Sequence, residues 1–237
     1  MTLRQANCWP SIFRKTAFDV HDKITPVKRH ILFLVFILLL NACAPRTIEV
    51  APPEPSGTVL FQDDFEQNTT GWDRVSNDVG IMDYDSGGYR MLIRQPSFNF
   101  WSTPEVNFRD VRLEVDVTKL SGPNENRTGL MCRYQNGNYY FFVISSDGYY
   151  AMGKFINGST VLLGQSAMQV TTDIEPGAVN HLRADCIGDS FTFYINFNLI
   201  AGAMDAELPT GDVGLIAGSF LEPGVDVLFD HFVVMQP

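Results

Sequence analysis

The stretch GLMCRYQNGNYYFFVISSDGYYAMGKF, residues 129–155, predicts a three-stranded antiparallel meander. Asn136-Gly137 is the residue pair that a two-residue type I′ hairpin turn prefers. Ser146-Asp147-Gly148 can form a three-residue turn before the next strand, because aspartate and glycine favour turns. The predicted strands are Gly129–Gln135, Asn138–Ile144 and Tyr149–Phe155.

The chain on both sides of this meander has the same pattern of short β-rich runs between turn signals. In Val111–Val117, valine and leucine alternate with charged residues, which is the period of a half-buried strand. After residue 58 no run keeps helical spacing for longer than about two turns. About a dozen short strands predict an all-β fold of two packed antiparallel sheets, a jelly-roll sandwich. The remaining predicted strands are 160–163, 179–186, 190–195, 213–217 and 225–234.

Five segments follow one another in a recognisable order. They are FQDDFEQNTTGW (61–72), VRLEVDV (111–117), the meander itself, HLRADCIGDSFTFYIN (181–196) and GDVGLIAGSF…VLFDHFVV (211–234). Together they resemble concanavalin A-like lectin/glucanase domains, in particular the laminin-G-like and 3-keto-disaccharide-hydrolase-like domains of bacterial lipoproteins. The resemblance covers residues 59–236 and implies this sandwich, but it implies no single activity, because the fold hosts lectins, glycosidases and adhesive modules.

One segment departs from the resemblance. The family reads Tyr-x-Asn-Gly in the strand after the second cysteine, whereas this chain reads Tyr194-Ile195-Asn196-Phe197. We therefore expect the turn there to be built differently, around Asn198.

The first 43 residues have the features of a bacterial lipoprotein signal peptide. Lys28-Arg29-His30 precede the apolar run Ile31–Leu40, which is too short to cross a bilayer, since crossing takes about 20 residues. Leu40-Asn41-Ala42-Cys43 resembles the lipobox. That resemblance implies that the Cys43 thiol carries a diacylglycerol and that cleavage makes Cys43 the N-terminus. The alternatives are an ordinary signal peptide with a chance cysteine, or a short buried helix.

Residues 44–58 are rich in proline and contain no aromatic residue, which predicts a disordered linker. We therefore predict three segments: the signal peptide 1–43, the linker 44–58 and the sandwich 59–237. Such a protein is exported and is anchored through Cys43 at the bacterial cell surface or envelope.

The charge balance argues against nucleic acid as a partner. The chain has 17 Lys and Arg against 27 Asp and Glu, a net charge of −10. A surface of this sign repels nucleic acid and anionic lipid head groups. Membrane attachment is therefore expected through the lipid and not through charge.

The meander register predicts a ligand-binding row. With a two-residue first turn and a three-residue second turn, Arg133, Tyr140 and Lys154 lie side by side on one sheet face. The family resemblance implies that glycans lie on the concave face, where a sugar ring would stack on Tyr140 between two cations. Cys132 and Phe141 are then expected to face the core. The alternative is an exposed face with cation–π packing and no ligand.

Other residues give weaker site predictions. Trp101 could stack on a sugar, although a tryptophan more often anchors a sandwich core. Asp63 and Asp64 near the start of the domain and Asp230 near its end predict a structural calcium site, because calcium prefers oxygen ligands. Cys132 and Cys186 are candidates for a disulfide, as expected for an exported domain, against the alternative of two buried thiols.

Glu114-Val115-Asp116 resembles part of the catalytic motif of family 16 glycoside hydrolases. That motif needs a further glutamate where this chain has Thr118 and Lys119. Retaining hydrolysis needs both a nucleophile and an acid/base, so we predict that the domain binds carbohydrate without catalysis. The alternatives are a glycoside or keto-sugar hydrolase, and an envelope or adhesion protein with a protein partner.

Overall fold

The structure is a computed structural model, and it describes residues 57–237. Within this part every regular element is a β-strand, and the strands form two antiparallel sheets. The predicted all-β sandwich is therefore confirmed. In the same part, no helix is long and apolar enough to cross a membrane. The signal peptide and nearly all of the linker lie outside the described residues.

The two sheets differ in size. The larger sheet contains β1 (Val59–Asp63), β2 (Val75–Asn77), β3 (Gly80–Asp85), β4 (Gly88–Ile93), β6 (Val111–Ser121), β12 (Val179–Ile187), β13 (Ser190–Ile195), β14 (Asn198–Met204) and β16 (Val225–Met235). The smaller sheet contains β5 (Asn99–Ser102), β7 (Asn126–Gln135), β8 (Asn138–Ser145), β9 (Tyr149–Ile156), β10 (Ser159–Leu162), β11 (Gln169–Val170) and β15 (Asp212–Ser219). The orders are β14-β13-β12-β6-β16-β4-β3-β2, with β1 on β16, and β10-β9-β8-β7-β15-β5, with β11 on β9.

The main core lies between the sheets. Val111, Leu113, Val115 and Val117 of β6 all point into it, as their alternation predicts. Aromatic side chains from both sheets meet them there, for example Phe142 against Phe193. Burial of this apolar surface is the main force that holds the two sheets together.

The meander forms with the predicted turns. Gln135 pairs with Asn138 across Asn136-Gly137, and Ser145 pairs with Tyr149 across the three-residue turn. These pairings also place Tyr140 opposite Lys154, as the sequence predicts.

The predicted position of Arg133 is wrong. Cys132, not Arg133, pairs with Tyr140, so Arg133 and Tyr134 stand together opposite Tyr139 as a β-bulge. Arg133 adopts a left-handed backbone conformation with φ of 54°. Because a bulge adds one residue to a strand, the pairing beyond it shifts by one residue, and each side chain there faces the side opposite to the one that an unbroken register predicts. Arg133 therefore does not pair with Tyr140, and the predicted alignment of Arg133 with Tyr140 and Lys154 across three strands does not form.

The same shift corrects the predicted directions of the β8 side chains. Tyr140 points with Cys132 into the main core. Phe141 and Val143 point to the other side of the smaller sheet, where they belong to a second apolar cluster. Cys132 faces the core as predicted, and Phe141 does not.

Cys132 and Cys186 are joined by a disulfide, with their Cα atoms 6.9 Å apart. Cys132 lies in β7 and Cys186 in β12. The bond therefore links the smaller sheet to the larger one through the core.

The turn between β13 and β14 is formed by Asn196 and Phe197, and not around Asn198 as expected. Asn198 is already the first residue of β14 and pairs with Ile195. Asn196 and Phe197 both have positive φ, 48° and 69°, as a type I′ turn requires. Phenylalanine thus occupies a left-handed position that normally favours glycine.

Candidate functional site

Arg133 is buried, and its guanidinium forms hydrogen bonds with backbone carbonyl oxygens. Its nitrogens donate to the carbonyl oxygens of Arg109 (3.2 Å), Leu208 (2.9 Å) and Gly188 (2.7 Å). The guanidinium carbon also lies 5.0 Å from the centroid of the Phe191 ring. Burial lowers the pKa of Arg133. Arg133 therefore ties three connecting segments together and presents nothing to a ligand.

Tyr140 and Lys154 meet at one carboxylate, Asp205. The Tyr140 hydroxyl donates to Asp205 Oδ1 at 2.5 Å, and Lys154 Nζ binds Asp205 Oδ2 and Glu207. Burial, with the bond to Asp205, raises the pKa of Tyr140 to about 12. Burial alone would lower the pKa of Lys154, but its two carboxylate partners raise it. Both side chains hold the segment after β14 in place, so neither is free to bind a sugar.

Trp101 lies on the outer face of the smaller sheet, in a row of aromatic rings. Its ring centroid is 6.4 Å from that of Tyr139, and Tyr139 stacks on Phe155 at 5.4 Å. Tyr134 also lies beside Tyr139, at 6.2 Å. The Trp101 indole nitrogen is buried without a hydrogen-bond partner. Trp101, Tyr139 and Phe155 are each at most 7% exposed, so this row is an apolar cluster and not an open binding surface.

The predicted calcium ligands are not arranged as a metal site. Asp63 is buried, and its oxygens accept hydrogen bonds from the Phe65 amide (2.7 Å), the Trp72 indole (2.9 Å) and the Thr70 hydroxyl. Asp64 and Asp230 each accept a bond from a nearby backbone amide. Within residues 57–237, no group of three or more His, Cys, Asp and Glu side chains is placed to hold a metal ion. Asp63 instead anchors Trp72 in the core.

Glu114 and Asp116 lie on the outer face of the larger sheet beside two histidines. His181 Nδ1 is 2.8 Å from Asp116 Oδ1, and its Nε2 is 3.6 Å from Glu114. His231 Nδ1 is 3.3 Å from the other Asp116 oxygen. Glu114 and Asp116 together raise the pKa of His181 against the lowering effect of burial. Asp116 is thus engaged by imidazoles on both oxygens and is not poised as a hydrolytic carboxylate.

An open cleft of about 570 Å³ lies where the edge strands of the two sheets meet. Its walls are β14 on one side and the loop 163–169 on the other. Two buried side chains, Leu163 and Met168, anchor this loop, and Gln169 pairs with Tyr150 of β9. The cleft is therefore held open by packed elements. Its volume is within the range of ligand pockets, roughly 300–1,000 Å³.

The cleft is lined by uncharged polar groups. Gln165, Ser166 and Gln169 line it from the loop, and Tyr150 and the backbone of Ile200 and Gly202 complete it. The Tyr150 hydroxyl donates to the Ile200 carbonyl at 3.1 Å. The Gln165 amide nitrogen is buried and has no hydrogen-bond partner. Because this nitrogen is buried, the groups that face the open part of the cleft are the exposed side chains of Ser166 and Gln169.

Sequence reasoning missed this cleft. Its polar residues lie in a connection that carries no motif, and isolated glutamines and serines are ordinary on protein surfaces. The available signal is a glutamine and a serine between two apolar anchors, followed by a second glutamine, in a connection without a charge.

Comparisons with known proteins show the fold. Neither a scan of protein-family models nor a search of curated proteins gives a match. Among solved structures, the carbohydrate-binding module CBM66 from Bacillus subtilis is 22% identical with a TM-score of 0.59, covering 71% of this chain and 98% of that one. A Bacillus subtilis protein of unknown function with a galectin-like fold is 12% identical, with a TM-score of 0.58 and coverage of 77% and 97%. The catalytic domain of an endo-1,3-beta-glucanase (laminarinase) from Thermotoga petrophila is 7% identical, with a TM-score of 0.55 and coverage of 76% and 98%. The described part of the chain therefore shares the jelly-roll sandwich fold of these structures.

Proposed function

We propose that this protein is a carbohydrate-binding module and that the sugar lies in the cleft between β14 and the loop 163–169. The observation that carries the proposal is an open cleft lined by the uncharged polar side chains of Gln165, Ser166 and Gln169. A sugar offers hydroxyl, ring and glycosidic oxygens that can form hydrogen bonds with such groups. One of the similar solved structures is itself named a carbohydrate-binding module.

The chemistry of the cleft favours binding over hydrolysis. Glycoside hydrolysis in most families uses two carboxyl groups, about 5–5.5 Å apart for retention or about 6.5–9.5 Å apart for inversion. No Asp or Glu is among the residues of the described chain that line this cleft. The hydrolase alternative therefore finds no catalytic pair there.

The proposal includes attachment to the membrane through a lipid on Cys43. The lipobox resemblance supports this anchor, and the proline-rich residues 44–58 would hold the sandwich away from the bilayer. A binding domain on such a tether serves to capture glycans outside the cell.

A glycan array probed with the purified full chain in detergent tests the binding function. Ser166→Ala and Gln169→Ala should each weaken binding of the array hits by about tenfold, since both side chains are exposed in the cleft and one lost hydrogen bond is of that order. Gln67→Ala, at an exposed glutamine in the loop after β1, and Tyr140→Phe, inside the core, should leave affinity unchanged. A blank array would refute the function. Equal binding by the cleft variants and the parent chain would refute the site.

A protein partner is the competing explanation, and a pull-down from envelope extract with the same purified chain, run beside the array, separates the two. Capture of a protein without any glycan binding would favour the adhesion alternative. Release of reducing sugar from a bound glycan would favour the hydrolase alternative.

A further inference from the structure

Phe197 occupies an unfavourable backbone position that burial does not offset. Its φ of 69° is left-handed, a conformation that disfavours any side chain with a Cβ atom. The residue is also 81% exposed, so the ring gains little from the hydrophobic effect. Residues held in such conformations cluster at sites of binding and catalysis. The position of this ring therefore points to a role outside folding.

The Phe197 ring is held in one orientation before any ligand arrives. It stacks on the His181 imidazole, with 4.7 Å between the ring centroids and 19° between the ring planes. His181 is itself fixed by Asp116 at 2.8 Å and by Glu114 at 3.6 Å. One face of the Phe197 ring is thus covered by His181, and the other face is exposed. A ring that is ordered in advance loses little conformational entropy when a ligand stacks on it.

A second aromatic ring lies on the same face of the larger sheet. Tyr194 of β13 packs against Arg183 of β12, whose guanidinium carbon is 4.3 Å from the centroid of the Tyr194 ring. Arg183 and His181 are two residues apart on β12, so the two stacks lie roughly 7 Å apart along the strand. Leu199 of β14 pairs with Tyr194 and is 60% exposed. We call the surface formed by Phe197, Tyr194 and Leu199 the aromatic platform.

The chemistry of the aromatic platform suits a sugar ring. The C–H groups on the face of a sugar ring carry a slight positive charge and can pack on the negative face of an aromatic ring. The hydroxyl groups at the edge of the sugar can donate to Glu114 and Asp116, which lie beside the stack of Phe197 on His181. Each carboxylate oxygen can accept more than one hydrogen bond, so the bonds to His181 do not exhaust them.

We infer that the aromatic platform is a second sugar-binding surface besides the cleft and that Phe197 is its main stacking residue, an inference that rests on the proposed carbohydrate binding. The platform lies on the outer face of the larger sheet. It shares β14 with the cleft, since that strand contributes Leu199 to the platform and Ala201 to the cleft.

The variant Phe197→Gly separates binding from folding. Glycine adopts positive φ without a steric cost, so the urea midpoint should stay close to that of the parent chain. The affinity for the strongest hit of the glycan array, measured by calorimetry with the full chain in detergent, should fall about tenfold, because the loss of one stacked ring is of that order.

Two further variants keep the test valid if glycine alters the turn. Phe197→Tyr keeps the aromatic face and should keep the affinity. Phe197→Leu keeps an apolar side chain at the same backbone position without a ring, and it should lose affinity as Phe197→Gly does. Leu221→Ala is the matched control, since Leu221 is also 81% exposed but lies in the loop after β15, and it should leave the affinity unchanged.

The possible results separate the inference from the function on which it rests. Parent affinity in Phe197→Gly would overturn the aromatic platform, while the proposed carbohydrate binding would stand. An equal loss in Phe197→Tyr and Phe197→Leu would show that ring stacking is not the contact, and an equal loss in Leu221→Ala would show an unspecific apolar effect. Either result would also overturn the platform. A blank glycan array would overturn both the platform and the proposed function.

Discussion

His181 is the residue that connects three elements of the larger sheet. Its ring pairs with Asp116 and Glu114 of β6, and Phe197 of the β13–β14 turn stacks on it at 4.7 Å with an interplanar angle of 19°. Phe197 is 81% exposed and gains little from burial at its left-handed position. Stacking on His181 is therefore the main contact that fixes this ring.

The ion pairs of His181 predict a pH-dependent contribution to stability. In the folded protein the hydrogen bond to Glu114 and the pairing with Asp116 raise the pKa of His181 above the ordinary value for histidine, about 6.5. The contribution is therefore fully present below about pH 6.5 and is lost as the pH rises through the raised pKa. His181→Gln should lower the free energy of unfolding more at about pH 6 than at about pH 9. Urea denaturation of both proteins at the two pH values measures this difference.

His231 provides the matched control, because it also lies beside Asp116 but is 67% exposed in its side chain. Solvent screens exposed ion pairs, so His231→Gln should change stability little at either pH. A loss for His181→Gln that is constant or grows with pH would show that its ion pairs do not stabilise the fold.

At the scale of strands, the sequence predicted the meander and its two turns but not its bulge. The turn residues have strong local preferences, so the pairing of Ser145 with Tyr149 could be predicted. The bulge depends on a left-handed arginine, and arginine has no preference for that conformation. Alternation did not reveal the error either, because both faces of β8 are apolar and buried.

The cleft was unpredictable for a different reason. It forms where β14 and the loop 163–169 meet, so its residues come from edges of two sheets. Which edges become neighbours depends on the order of strands in each sheet, and local propensity does not determine that order. The predicted position of the β13–β14 turn was wrong for a similar reason. Tertiary contacts hold Phe197 in a left-handed backbone conformation that phenylalanine does not itself prefer.

The disulfide between the sheets predicts a large loss of stability when it is removed. Cys132 and Cys186 are 54 residues apart, for which the chain-entropy model gives roughly 4 kcal/mol. The variant with both Cys132→Ala and Cys186→Ala should show a free energy of unfolding lower by that order in non-reducing denaturation. The parent chain in reducing agent, where both thiols are free, should move in the same direction. Equal stability of parent and double variant would mean that the bond does not constrain the unfolded chain.

At the scale of the whole molecule, the proposed function requires the domain to stay outside the cell and close to the bilayer. The acidic chain has no electrostatic attraction to anionic head groups. The anchor that we propose is therefore the lipid on Cys43. Because a single acyl chain would hold the protein only marginally, we expect Cys43 to carry more than one.

Labelling in a bacterial host tests this anchor directly. When labelled palmitate is fed to cells, the protein should incorporate it, sediment with membranes and begin at Cys43 by mass spectrometry. Cys43→Ala should abolish incorporation and leave the uncleaved precursor, because both acylation and cleavage depend on that thiol. Cys8→Ala is the matched control, since Cys8 lies in the segment that the predicted cleavage removes, and it should change neither result. A mature N-terminus at another residue, or labelling that persists in Cys43→Ala, would exclude the lipid anchor at Cys43.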